Sequence, residues 1–177
     1  ALQQTGKPIV LVDMHRRGFT SINPDNISGG YLATQHLLRV GRKRIAMLSG
    51  SLAHYSIGQR NRGFRQALFD AKMHADPNLE VSVPTMGEGD DGVIEAMRSL
   101  LALPKRPDAL FCYNDSTALV AMKYCLGEGL KIPYDLAIVG FDDIAAAAAA
   151  IPPLSTVRVD KEALGRAGVD ALLAKPE

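Results

Sequence analysis

The stretch at residues 108–122, DALFCYNDSTALVAM, shows how this chain is built. Its first part, residues 109–113, is a short apolar block without polar alternation, which is typical of a β-strand buried on both faces. The block stops at Asn114 and Asp115, and a helical pattern follows. Asp115 or Ser116 could cap that helix by accepting hydrogen bonds from its first N–H groups, and Asn114 would then lie at the carboxyl end of the strand. One cap accounts for only one of the two polar residues, which leaves the other for a second role at the end of the strand.

The same succession of strand and helix repeats along the whole chain. The predicted strands cover residues 9–13, 45–49, 79–83, 109–113, 136–140 and 155–159. The predicted helices cover residues 28–40, 57–71, 91–103, 116–126 and 161–173. Strands that alternate with helices form βαβ units with right-handed crossovers, so the sequence predicts an α/β fold with mostly parallel sheets flanked by helices.

The composition is that of an ordinary globular chain. Of its 177 residues 47% are hydrophobic, and 20 Lys and Arg stand against 19 Asp and Glu. This balance argues against a nucleic-acid binding module, because such modules are usually strongly basic. The sequence has neither an apolar run long enough to span a membrane nor a signal-peptide pattern. Cys112 and Cys125 lie in apolar segments, which favours buried thiols over a disulfide or a metal pair.

Polar side chains follow several of the predicted strands. Asp13 ends the first strand, residues 49–50 end the second, residues 114–115 end the fourth, and residues 142–143 follow the fifth. The carboxyl ends of parallel strands meet at one edge of a sheet, where open α/β sheets bind small molecules. Turn chemistry alone also uses Asp and Asn, but the repetition favours a ligand-binding edge.

The segment SIGQR, residues 56–60, adds a serine and an arginine near the start of a predicted helix. Ser56 and Arg60 are four residues apart, so they share one face of that helix. An arginine in this position opposes the helix dipole unless something compensates, and a bound polyol or anion could do so. The alternative is a solvated side chain, as expected for the neighbouring Arg62 and Arg65. In either case we expect replacement of Arg60 by alanine to leave folding nearly unchanged.

Several long segments carry a family resemblance. They include PIVLVD from residue 8, SINPDNISGGYLATQHLLRVGRKRIAMLSG from residue 21, PDALFCYNDSTALVAMKYCLGEGLKIPYDLAIVGFDDI from residue 107 and IPPLSTVRVDKEALGRAGVDALL from residue 151. In order and spacing they resemble the effector-binding region of LacI/GalR-type bacterial transcription regulators. The resemblance implies two Rossmann-like lobes of the periplasmic-binding-protein type, which are joined by three crossovers and close on a sugar, a nucleobase or a related metabolite.

The resemblance also divides the chain. Residues 1–24 correspond to part of the N-terminal lobe, residues 25–154 to the C-terminal lobe, and residues 155–177 to a return segment into the N-terminal lobe. The N-terminal lobe is therefore expected to be only partly present. The helix-turn-helix domain that would bind operator DNA is expected to lie outside this chain.

The resemblance assigns five residues to the ligand site, namely Asp13, Ser56, Arg60, Asn114 and Asp142. Asp115 is then expected to cap its helix, which gives one polar residue to the ligand and one to the helix. Two features depart from the family pattern. The segment TMGEGDD, residues 85–91, lacks the pocket aromatic that many members have, and residues 145–150 are six alanines in an expected loop, although alanine favours helix.

The function implied is that of a sensor. A small polar metabolite, expected to be a sugar or a sugar derivative, would bind between the lobes and control operator binding by a shift between conformations. The protein is expected to be a cytoplasmic homodimer, with a tetramer also allowed, and to need no cofactor and no metal. The resemblance places apolar interface residues on the C-terminal lobe, namely Ala118, Ala121, Met122, Ile144, Ile151 and Pro152.

Two alternatives belong to other classes of protein. A periplasmic sugar-binding receptor of a transporter would share the fold and differ in its address. An enzyme could use Asp142 and Asp143 as a Mg²⁺ or phosphoacceptor site, but such a site needs a further acid and a lysine on neighbouring strand ends. The four histidines have no metal-ligand spacing, and no nucleophile elbow, Walker loop or dinucleotide-binding glycine motif occurs. The sequence therefore favours a binding protein over an enzyme.

Overall fold

The computed structural model describes residues 8–83 and 90–174 of the chain. The chain forms two compact units. Unit 1 combines Ala1–Asp25 with Val159–Glu177, and unit 2 is the continuous stretch Asn26–Arg158. Both units contain parallel strands and helices, as predicted for an α/β protein.

The strands are β1 (Val10–Val12), β2 (Thr20–Ile22), β3 (Ile45–Ser49), β4 (Glu80–Ser82), β5 (Ala109–Cys112), β6 (Ala137–Asp142) and β7 (Ser155–Arg158). The helices are α1 (Asn26–Arg39), α2 (Tyr55–Asp70), α3 (Asp91–Leu101), α4 (Asp115–Gly127), α5 (Ala145–Ala149) and α6 (Lys161–Leu173). All predicted strands and helices are present within a few residues of their expected bounds. The sequence does not indicate β2, whose three residues TSI form no apolar block, and the loop expected at residues 145–150 is largely the short helix α5.

Unit 2 is built on a five-stranded parallel sheet in the order β4-β3-β5-β6-β7. Every residue of β3 and β5 is buried, which explains why these strands are continuous apolar blocks in the sequence. The order reverses between β3 and β5, because β4 lies outside β3 while β5 and the later strands lie on its other side. Such a switch point, at the carboxyl ends of the strands, is where this class of sheet binds its ligands.

Strand β7 changes the expected boundary between the lobes. The sequence assigns residues 155–158 to the return segment, but β7 pairs with β6 along its whole length, with Asp142 opposite Arg158. The second unit therefore ends at Arg158 and not at the predicted limit of residue 154. In unit 1, β1 and β2 pair in parallel and α6 packs on them, with Gly168 against the side chain of Val12.

Helices α1 and α2 approach each other closely at two glycines. A Cβ atom at Gly30 would collide with the backbone carbonyl of Arg60. A Cβ atom at Gly63 would collide with the carbonyl oxygen of Ile27 and lie 2.6 Å from the backbone nitrogen of Tyr31. Gly30 of the NISGGY segment thus belongs to a helix packing contact, which fixes where α2 holds its polar residues.

Part of the predicted dimer interface is wrong, because three of its residues are buried in helix α4. Ala118, Ala121 and Met122 are at most 4% exposed and belong to the core cluster of unit 2, so they cannot meet a partner chain as surface residues. The error has a simple cause, because positions 118, 121, 122 and 125 repeat at the spacing of a core-facing helical stripe. Cys125 continues that stripe, and both cysteines are buried free thiols, as predicted. Burial raises the pKa of Cys125 to about 11, so this thiol is unreactive near neutral pH.

The helices in the described part of the chain are all too short or too polar to cross a membrane.

Candidate functional site

The guanidinium of Arg60 is the centre of the candidate site. Arg60 is only 5% exposed, although it lies in the second turn of α2. Its Nε donates to Oδ1 of Asn26 at 2.9 Å, and its Nη1 donates to the carbonyl oxygen of Tyr113. Its Nη2 lies 3.3 Å from Oδ1 of Asp142. One side chain therefore joins the start of α1 to the ends of β5 and β6.

Phe141 completes the surroundings of this guanidinium. The Cζ atom of Arg60 lies 3.6 Å from the centroid of the Phe141 ring, in a cation–π contact. The ring itself packs against Gly29 of α1, where a Cβ atom would be 2.5 Å from it. We call Arg60, Asn26, Phe141, Asp142 and the Tyr113 carbonyl the Arg60 network. Because the arginine is buried in this network and not solvated, we now expect its removal to destabilise the fold, contrary to the expectation from the sequence.

Asp142 is the member of the network that reaches the surface. Its side chain is 32% exposed, against 6% for that of Arg60. Its backbone φ is 108° and that of Asp143 is 51°, both in the region that side chains other than Asn, Asp and Gly rarely adopt. Backbone strain of this kind is concentrated at functional sites. The carboxylate is thus held by a buried cation and presented to solvent at the carboxyl end of β6.

The helix cap expected at Asp115 lies one residue earlier, at Asn114. Asn114 is the N-cap of α4, and its Oδ1 accepts a hydrogen bond from the Thr117 N–H at 2.9 Å. Asp115 is the first residue of the helix and is fully buried. The prediction that Asp115 caps the helix is therefore wrong. Since the amide oxygen of Asn114 is used by the cap, its amide nitrogen is the group that could contact a ligand.

Asp115 instead fixes the segment that follows Asp142. Its Oδ2 accepts from the Ile144 N–H at 2.9 Å, and its Oδ1 accepts from the Thr156 hydroxyl at 2.5 Å. Gly140 leaves room for this carboxylate, since a Cβ atom there would collide with it. The buried Asp115 therefore connects α4 to β7 and to the segment that follows Asp142.

Two further predicted site residues, Ser56 and Asp13, lie at the start of α2 and directly after β1. Ser56 is half-buried in the first turn of α2, one turn before Arg60, so it lies on the same face of the helix. Asp13 belongs to unit 1, where it follows β1 at a φ of 53°. The segment in which the pocket aromatic is missing, residues 85–91, lies mostly outside the described residues. The structure thus brings Arg60 and Asp142 into contact, with Asn114 one residue after the Tyr113 carbonyl.

Two members of the network were missed in the sequence. Asn26 is 2% exposed, but in SINPDNIS it looks like an ordinary residue at a helix start. Phe141 looks like one more apolar residue of β6. The sequence signal for these partners was Arg60 itself, in the early part of a helix. If an arginine is buried there, other residues must satisfy its charge. Within residues 8–83 and 90–174, no cluster of His, Cys, Asp and Glu has the geometry of a metal site.

Comparisons with known proteins agree with this architecture. The profile of the periplasmic binding protein-like domain matches residues 34–175. The HTH-type transcriptional repressor PurR of Haemophilus influenzae is 37% identical over 169 residues, which cover 95% of this chain and 49% of the repressor. The ribose operon repressor of the same species is 38% identical over 173 residues, covering 95% of this chain and 50% of the repressor. The chain thus spans about half the length of these relatives, which are repressors and not enzymes.

A solved structure shows the same fold. The complex of the transcriptional regulator CelR with cellobiose superposes with a TM-score of 0.83 at 30% identity, over 96% of this chain and 59% of that protein. The family profile covers most of the chain, and these relatives are regulators of one kind. The chain therefore belongs to the periplasmic binding protein-like domain family, in the form found in the effector-binding region of LacI/GalR-type transcriptional regulators.

Proposed function

We propose that this chain senses a small polar metabolite, a sugar or sugar derivative, and thereby controls binding to operator DNA by a separate domain of the same protein. In this proposal Asp142 accepts hydrogen bonds from the metabolite. Arg60, Asn114 and Ser56, which belong to the same unit, contribute further polar contacts. The protein acts in the cytoplasm, as its DNA-binding role requires.

One observation carries the proposal. The partly exposed carboxylate of Asp142 is held by the buried guanidinium of Arg60 at the carboxyl edge of a parallel sheet. A fixed carboxylate is a strong acceptor for ligand hydroxyl or N–H groups, and it needs no rearrangement to bind them. Control of DNA binding then follows from a difference in ligand affinity between two conformations of the protein.

A thermal-shift screen of the full-length protein tests this function. The panel contains ribose, cellobiose, their phosphates and the purine bases, since the resemblance to LacI/GalR-type regulators implies a sugar, a nucleobase or a related metabolite. A ligand present at 100 times its Kd should stabilise the protein by about 2.7 kcal/mol, which raises Tm by several degrees.

Asp142→Asn should then weaken binding of the selected compound by about 10- to 150-fold in calorimetric titration, because it removes charge-assisted hydrogen bonds.

Asp143→Asn is the matched control for that variant. Asp143 is the adjacent acid, is also at positive φ, and pairs with Arg158 at 3.9 Å where both side chains are well exposed. Asparagine tolerates positive φ as aspartate does, so both variants should fold, and Asp143→Asn should keep the affinity of the wild type. Equal affinity for the wild type and Asp142→Asn would remove Asp142 from the ligand site. No rise in Tm with any panel compound, or a rise with a purine base alone, would contradict the proposed ligand class.

We also propose a homodimer whose interface includes the segment around α5. Of the residues predicted there, Ile151 is 89% exposed, and Ile144 and Pro152 are partly exposed. Ile151→Glu should raise the dimer dissociation constant about 10- to 150-fold, because it replaces roughly 1.5–3 kcal/mol of apolar burial with a charge. Sedimentation equilibrium of the full-length protein measures this constant.

Phe69→Glu is the control for Ile151→Glu. It alters a side chain that is 79% exposed on α2, outside the proposed interface, and should not change the dimer dissociation constant. A wild-type protein that is monomeric at micromolar concentration contradicts the proposal.

A further inference from the structure

The two ends of unit 2 both connect to the acid pair at the end of β6, Asp142 and Asp143. Asn26 is the first residue of the unit and Arg158 is the last, so each is covalently joined to unit 1. Asn26 accepts from Arg60, which in turn faces Asp142. Arg158 is the register partner of Asp142 in the β6–β7 pair, and its Nε lies 3.9 Å from Asp143. At each boundary of unit 2, the residue that joins it to unit 1 is therefore connected to Asp142 or Asp143. Asp142 is the carboxylate that we propose for the effector.

The two connections differ in strength. The Arg158 side chain is 81% exposed and that of Asp143 is 41% exposed, and an ion pair in such a setting contributes little. Asn26 is 2% exposed and Arg60 is 5% exposed, and their hydrogen bond is 2.9 Å long. A buried hydrogen bond to a charged group is worth more and has one defined geometry. The connection through Asn26 is therefore the one that can fix an orientation.

Asn26 is able to orient the guanidinium of Arg60 without neutralising its charge. Its amide oxygen accepts from Nε of Arg60, and so it directs the plane of the guanidinium while carrying no charge of its own. The positive charge of Arg60 is then left for Asp142 and for whatever binds there. An aspartate at position 26 would keep the acceptor but compete with Asp142 for the ion pair. An alanine would leave Nε without this acceptor in a place with little access to water.

We propose that Asn26 is a positioning residue for the effector site, which holds the Arg60 guanidinium in the orientation that faces Asp142. This inference rests on the proposed function of Asp142. The Asp25–Asn26 peptide is a covalent link between the units, so Asn26 joins the effector carboxylate to a crossover of the chain. If ligand binding at Asp142 changes the backbone conformation at that boundary, the same change at the boundary must alter ligand affinity by the same factor.

A double-mutant cycle tests the inference without any effector. Asn26→Ala, Asp142→Asn and the double variant are prepared in the full-length protein, and the midpoint of urea-induced unfolding is measured by far-UV circular dichroism. If both residues act on one guanidinium, the loss of the double variant is clearly smaller than the sum of the single losses. Additive losses overturn the proposal.

Thr34→Val is the matched control for this cycle. Thr34 is a fully buried residue of the same helix, and its hydroxyl donates to the Gly30 carbonyl at 2.8 Å instead of contacting Arg60. Its replacement removes a buried hydrogen bond from α1 and keeps the shape of the side chain. Its effect should add to that of Asp142→Asn. Coupling of the same size in the control cycle would mean that Asn26 acts only through the stability of α1, which also overturns the proposal.

A binding measurement separates positioning from stability. With the compound selected in the panel, Asn26→Asp should lower affinity about tenfold, because the introduced carboxylate draws the charge of Arg60 away from Asp142. Asn26→Asp keeps the acceptor for Nε, so its unfolding midpoint should exceed that of Asn26→Ala. An affinity equal to the wild type overturns the proposal. If no panel compound binds, the proposed function fails, whereas the cycle still decides whether Asn26 acts on Asp142.

Discussion

A Gly63→Ala variant should lose a large part of its stability, although the substitution adds only one methyl group and favours helix. The new Cβ atom would enter the backbone of α1 at the Ile27 carbonyl, and backbone cannot move aside as a flexible side chain can. Overpacking of well-packed sites costs about 1–3 kcal/mol and occasionally more, and a backbone collision belongs at the upper end. A loss of about 3 kcal/mol lowers Tm by roughly 10 °C in a domain of this size. Differential scanning calorimetry measures this shift.

Gly127→Ala provides the matched control for Gly63→Ala. Gly127 is the last residue of α4 and is exposed, and a Cβ atom added there would have no neighbouring atom within 4 Å. Alanine there should raise stability by about 0.5 kcal/mol, since glycine in a helix is less favourable than alanine. A Gly63→Ala protein as stable as the wild type would show that α1 and α2 separate without cost, which would contradict the close packing described above.

An Arg60→Met variant should lose both stability and ligand response. Methionine keeps an unbranched apolar stem against Phe141 but removes every donor of the guanidinium. Asn26 and the Tyr113 carbonyl then lose a buried donor, and Asp142 loses the cation that holds it. Breaking a buried charged network by removing one partner costs about 3–5 kcal/mol. The partial exposure of Asp142 reduces this cost, so we expect about 3 kcal/mol, which is a large part of the total stability of a typical domain.

Urea denaturation and calorimetric titration of the Arg60→Met protein measure the two losses separately. Affinity for the compound selected in the panel should fall at least as far as in Asp142→Asn, because the carboxylate is no longer oriented. Arg62→Met is the control, since Arg62 is an exposed residue of the same helix whose Nη1 lies 3.4 Å from Oε1 of Gln59. It should change neither quantity. If Arg60→Met unfolds at the same urea concentration as the wild type, the Arg60 network does not stabilise unit 2.

The fold was largely predictable because its strands are buried on both faces. Blocks such as IAMLS at residues 45–49 have no polar alternation, and in a chain with intervening helices this pattern is typical of buried parallel strands. The short strand β2 was missed because three residues with two hydroxyls carry no such pattern. The end of unit 2 was misplaced because β7 looks the same whichever sheet it joins. Pairing partners depend on tertiary contacts that a local pattern does not contain.

The candidate site was predictable in position but not in detail. Polar residues at strand ends identified the carboxyl edge, and Arg60 and Asp142 do meet there. The prediction that Asp115 caps α4 failed because Asn114, Asp115 and Ser116 are all able to cap a helix, and only the backbone conformation at residue 114 decides which one does. Asn26 could not be found, because the sequence does not reveal that a residue at a helix start is buried against a cation from another helix.

The division of the chain into a continuous and a discontinuous unit sets an order of assembly on the ribosome. Unit 2 is one uninterrupted stretch, so a nascent chain can fold it as soon as β7 has emerged. Unit 1 needs β1 and β2, which precede unit 2 in the chain, and α6, which follows it. Joining them means closing a loop that contains all of unit 2, and the entropy cost of that loop falls once its interior is folded and its ends are fixed. The Arg60 network lies wholly in unit 2, so the carboxylate that we assign to the effector is in place before unit 1 can assemble.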